Sequence, residues 1–159
     1  MLQMKSYIVV TGIVLAASSA QAQTLEVSYQ QKHATVTVPE LPHTNVSAKG
    51  HDGIAHDFSC VPITVVLEAV QTPSGENLRG AGMSLVVIAS AKDSYHAAFA
   101  LAELDASVGH KQAFVCDKQD GRAMSTNDGP LRLVVPSDKR PARWVRMLTS
   151  LDVKAPAQD

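Results

Sequence analysis

The sequence predicts an α+β domain, and three observations carry that expectation. Segments that alternate apolar and polar residues recur, as in TLEVSYQ (24–30) and ATVTV (34–38), the period-two pattern of half-buried strands. Helical patterns are few and short. No regular strand–helix–strand alternation is present, which disfavours a doubly wound parallel sheet. The expected architecture is a mixed β-sheet with short helices on its flanks.

After those first two strands, Pro39-Glu40-Leu41-Pro42 leaves room only for a short helical turn or loop, because prolines bracket it. NVSAKGHDGIAHDFS (45–59) reads as a hairpin around Asp52-Gly53, which suits a two-residue type I′ turn. In that register His51 faces Ile54 and His56 faces Lys49. VPITVVLEAV (61–70) follows, with Pro62 in the first turn of a helix and Ile63, Val66, Leu67 and Val70 at helical spacing. Residues 71–82 form a turn-rich loop. MSLVVIASA (83–91) is a continuous apolar run, expected to be a central strand buried on both faces. YHAAFAL (95–101) alternates, and LAELDAS is a helical turn. QAFVCDK (112–118), LRLVV (131–135) and WVRMLTSLDV (144–153) supply the remaining strands, with polar turns between them. The tail APAQD (155–159) is expected to fray.

The ends and the composition narrow the setting. Residues 1–22 carry one cation, Lys5, then the apolar run YIVVTGIVLAA and small residues at Ala20 and Ala22. That is the layout of a secretory signal peptide cleaved after Ala22, too short for a membrane span of about 20 residues. Residues 23–159 are then a single periplasmic domain, near the size mode of about 100–150 residues. The formal net charge of the chain is −1, so nucleic acid is not an expected partner. Its two cysteines, Cys60 and Cys116, stand in no CxxC pair. In an exported chain either a structural bridge or two buried thiols fits them.

Recognised catalytic patterns are missing: no GxSxG, HExxH, P-loop or GxGxxG occurs. His51 and His56 are the best metal pair, but a site needs further ligands, so no metal site and no catalytic residue is assigned. The segment GPLRLVVPSDKRPARWVR (129–146) is the notable one, placing Lys139, Arg140, Arg143 and Arg146 around Trp144, the only tryptophan. Ser137 or Asp138 is placed to cap a helical turn there, with Pro141 in its first turn. Such a turn offers an indole face and guanidinium forks for a flat, partly anionic molecule. The plainer alternative buries the indole and pairs the arginines with Glu68, Glu103 or other acids.

These same residues resemble a known family. GPLRLVVPSDKRPARWVRMLTSLDV is similar to the C-terminal motif of small exported proteins with the oxidoreductase molybdopterin-binding, sulfite-oxidase-type fold. AKDSYHAAFALAELDAS and HDFSCVPITVVLEAV resemble earlier stretches of that family. The resemblance covers most of residues 23–159 and implies an α+β fold with a pterin cradle. The family's enzymes bind molybdenum through a loop cysteine followed by a basic, asparagine-containing stretch. Cys60 is followed instead by Val-Pro-Ile, and Cys116 by Asp-Lys, so molybdenum is not expected.

The chain looks closer to the metal-free periplasmic members, which bind a pterin and report to a membrane signalling protein. On that resemblance the ligand lies between the 92–95 loop and the 136–144 turn. Trp144 or Tyr95 would stack on the ring, and Arg140 or Arg143, beside Lys139, would donate to its carbonyl. Asp138 or Asp93 would accept from its guanidine-like edge. The alternative is a small molybdopterin-dependent oxidoreductase. A third reading docks the basic turn onto an acidic surface of a membrane protein.

Overall fold

The computed structural model describes residues 23–156. The expected signal peptide (1–22) and the end of the tail lie outside the described residues. Among the described residues, no helix is long and apolar enough to cross a membrane.

Among the described residues, ten strands pair into two sheets rather than one. The first is mixed and runs β2 (Lys32–Thr37), β1 (Thr24–Tyr29), β10 (Leu148–Lys154), β5 (Val86–Ala91), β6 (His96–Ala100), with β1 and β10 parallel. The second is antiparallel and runs β3 (Thr44–Lys49), β4 (Ala55–Pro62), β7 (Phe114–Gln119), β8 (Arg122–Ala123), with β9 (Arg132–Val134) also on β7. The expectation of a single mixed sheet is corrected by the alternation itself. Strands with one apolar face need a second layer to cover it. Leu25, Val27, Val87, Phe99 and Leu151 from one sheet and Phe58, Cys60 and Val115 from the other belong to one buried cluster. Just before β9, Leu148 N–H donates to the Leu131 carbonyl at 2.9 Å, tying the two layers together.

β5 sits between β10 and β6 as expected of a central strand, but only one of its faces is closed. Val87, Ala89 and Ala91 are buried while Val86, Ile88 and Ser90 are half-buried. The helices are too short to roof the other face: α1 (Ile63–Leu67) has five residues and α2 (Leu101–Leu104) four. Helix α1 continues as a 3-10 turn over Glu68–Val70, and Ile63, Val66, Leu67 and Val70 are all buried, as their spacing predicts. Pro62 closes β4 and precedes the helix rather than standing inside its first turn.

The hairpin between β3 and β4 exists, in a different register. Ala48 faces His56 and Lys49 faces Ala55, so the loop covers residues 50–54. Asp52 explains the wider loop. Its carboxylate accepts the Ile54 N–H at 2.9 Å and reaches the His56 imidazole at 3.0 Å, an arrangement closed off to a two-residue turn.

Candidate functional site

The basic turn is built from committed side chains. Pro141–Arg143 forms a 3-10 turn that begins at Arg140, without a side-chain cap. Asp138, expected as a cap, instead holds Arg143 bidentately: Nε donates to Oδ2 at 2.9 Å and Nη2 to Oδ1 at 2.8 Å. Arg143 Nη1 also donates to Glu103 at 3.1 Å, and its guanidinium lies 4.6 Å over the Phe99 ring. Lys111 completes the group at 3.0 Å from Asp138. The Arg143 hydrogen bonds hold the Asp138 carboxyl below the usual carboxylate range, and Asp138 in turn raises the Arg143 guanidinium.

Trp144 belongs to the core. It is 5% exposed, its indole N–H donates to the Val135 carbonyl at 3.0 Å, and its ring meets Phe58 edge-on at 5.9 Å. The Arg132 guanidinium lies 5.3 Å from the indole centroid. That cation is itself buried. Its Nη1 is 3.4 Å from Asp128, its Nε has no partner, and burial lowers its pKa from the ordinary value. The reading of Trp144 as an exposed stacking face is therefore corrected. An indole has one donor, and a core position that satisfies it is the cheaper place for so large an apolar ring. Arg143 is likewise unavailable as a free donor.

The 92–95 loop and the 136–144 turn do meet. The Tyr95 hydroxyl donates to the Ala142 carbonyl, and Lys92 N–H donates to the Met147 carbonyl at 3.0 Å, so the 92–95 loop borders the 136–144 turn. Tyr95 is 47% exposed, and Asp93 accepts its N–H at 3.1 Å. Lys139 and Arg140 are exposed and take part in no ion pair among the described residues. The loop and turn meet through the Tyr95 hydroxyl on the Ala142 carbonyl.

His56 is held at both ring nitrogens, by Asp120 at 2.7 Å and Asp52 at 3.0 Å. With both nitrogens facing carboxylates, neither is free to ligate a metal, and His51 stands exposed on the loop. Asp52 first and Asp120 second raise the His56 pKa; His56 lowers that of Asp52, and the Asp57 N–H with His56 lowers that of Asp120.

A concave site lies elsewhere, between residues 62–74 and residues 101–114. It encloses about 340 Å³, inside the range of about 300–1,000 Å³ for small-molecule sites. Two ties fix its walls: Ile63 N–H donates to the Ala113 carbonyl at 2.9 Å, and Gly75 N–H donates to Asp105 Oδ2 at 2.8 Å. Ile63, Leu67, Leu101, Leu104 and Phe114 give it an apolar lining. Around them stand Thr64, Glu68, Thr72, Ser74, His110 and Gln112, none of which makes a side-chain hydrogen bond or ion pair within the described residues. Gly109 seats one wall. A Cβ there would lie 2.6 Å from the Glu103 backbone, so only glycine allows this strand of loop to rest on α2. None of the predicted ligand-binding residues lines the cavity. The lining comes from two separated stretches, and its only trace in the sequence is that small residue inside LAELDASVGHKQ.

Neither a model of a known protein family nor a curated protein matches this chain. Among solved structures, the sulfane dehydrogenase SoxCD from Paracoccus pantotrophus is similar, with a TM-score of 0.63 and 16% identity over 84% of this chain. The fold is shared with that dehydrogenase. The chain spans 38% of the length of the SoxCD chain, and at this identity the likeness concerns fold alone. The two-sheet α+β architecture is compatible with the sulfite-oxidase-type domain that the sequence resembles.

The molybdenum of that family does not fit the residues present. The metal needs a thiolate, a soft ligand. Cys60 and Cys116 lie opposite one another on β4 and β7, are 0% exposed, and form a disulfide with each other. No thiolate remains in the chain to hold the metal.

Proposed function

We propose that this chain is an exported, periplasmic binding domain that takes a pterin or similar heteroaromatic and relays its presence to the periplasmic domain of a membrane signalling protein. The observation that carries the reading is the cavity beside α1 and α2, with its apolar lining and uncommitted polar rim. Such a site pairs apolar burial with a few polar groups that fix orientation. A flat ring rests on Ile63, Leu67, Leu104 and Phe114, while the Glu68 carboxylate accepts the two N–H donors of a guanidine-like edge, the geometry carboxylates use with arginine. Titration of residues 23–159 with pterin, followed by the quenching of pterin emission, gives saturable binding at one site. An unchanged spectrum at millimolar protein would end the proposal.

The likeness to a dehydrogenase is the one observation favouring an oxidoreductase, and the sealed disulfide opposes it. Stoichiometric molybdenum in protein purified from its native periplasm would reverse that order.

A further inference from the structure

Resting on the cavity reading above, we infer that the ligand is an anion: a heteroaromatic carboxylate whose acid group recruits Lys111 from its ion pair with Asp138. Lys111 belongs to both places at once. It lines the cavity, and its ammonium reaches Asp138 at 3.0 Å with a quarter of the side chain exposed. Asp138 can release it without becoming an unpaired charge, because Arg143 holds both carboxylate oxygens. Breaking a pair is costly chiefly when it strands one partner, and here neither is stranded.

The charges on the two walls give the ligand a direction. On the 101–114 wall, Asp105 has already spent its carboxylate on the Ser107 hydroxyl and on the N–H groups of Gly75 and Ser107, which hold its pKa low. That wall therefore offers an anion Lys111, with the unbonded His110 ring beside it. The 62–74 wall offers the opposite chemistry in Glu68, an acceptor without a partner among the described residues. A molecule with a donor edge at one end and a carboxylate at the other satisfies both walls. A neutral ring satisfies only one.

Pterin and pterin-6-carboxylate, titrated against residues 23–159 under the same conditions, test this directly. A charge-assisted hydrogen bond to the ammonium makes the carboxylate bind about tenfold tighter than pterin. Lys111→Gln collapses that ratio towards one, and Lys111→Arg restores most of it. Equal affinities of the wild-type protein for the two compounds would overturn the inference and leave the cavity reading standing. A ratio that survives in Lys111→Gln would overturn it equally. Binding of neither compound would remove the cavity reading and this inference together.

Discussion

Two regions of this domain gather polar side chains, and the fold has treated them in opposite ways. In the 136–144 turn the charges are consumed internally: Asp138 is shared by Arg143 and Lys111, Arg143 also reaches Glu103, and Trp144 is packed beneath. Beside α1 and α2, Thr64, Glu68, Thr72, Ser74, His110 and Gln112 have no such partners among the described residues and surround an apolar hollow, with Lys111 shared between the two regions. A cluster that looks basic in sequence is a brace, and a stretch without a motif holds the space. The difference teaches that charge density along a chain says little about availability. Partners distant in sequence decide it.

The comparison breaks most visibly at Trp144. As a core residue its replacement by alanine costs about 3–5 kcal/mol of stability, measured by urea denaturation, whereas a surface stacking residue would cost almost nothing. Next comes the brace. Asp138→Asn weakens the bidentate hold on Arg143 and the pair with Lys111, and costs about 1–2 kcal/mol, reduced by the partial exposure of both cations. A melting temperature unchanged by that substitution would mean that the turn is held by backbone alone. The cavity responds the other way. Ala106→Trp, at an exposed position in the lining, fills the hollow and lowers pterin affinity at least about tenfold, while stability stays within about 0.5 kcal/mol. Equal loss of both would show that the segment cannot accept the ring without unfolding.

The smallest effect is the pH response of the His56 latch, which lies outside both regions. The folded pKa of His56 is raised, so its contribution is complete below the unfolded value of about 6.5 and is lost as pH rises through the folded value. Asp52 and Asp120 are lowered, so their share is present above the unfolded carboxylate value of about 3.9 and is lost as pH falls through their folded values. Melting curves between these limits should show the latch at full strength. The alkaline loss should diminish in Asp52→Asn, the variant that removes the largest cause of the shift.

Much of the fold was legible because burial in it is local. β1, β2 and β6 alternate as their sequences do, and LAEL forms its turn of helix at Leu101–Leu104. What escaped were features set by distant partners. The division into two sheets depends on which apolar faces meet. The short strand β8, inside a segment read as polar turn, exists only because Arg122 and Ala123 pair with Gln119 and Lys118. At the hairpin the Asp-Gly preference was overridden by the Asp52 side chain, which serves Ile54 and His56 instead. The disulfide was one of two readings open in sequence, and it follows from Cys60 and Cys116 falling opposite each other across β4 and β7. The resemblance located Tyr95 beside the 136–144 turn, where the structure also has it. It could not show that Glu103 and Asp138 had already taken Arg143.

Backbone amide chemical shifts recorded while pterin-6-carboxylate is added to isotopically labelled protein compare the two regions in a single experiment. The perturbed residues are expected to gather at Thr64, Glu68, Thr72, Ser74, His110 and Gln112. Perturbations gathered instead at Tyr95, Lys139 and Arg140, with those six unmoved, would contradict the cavity reading.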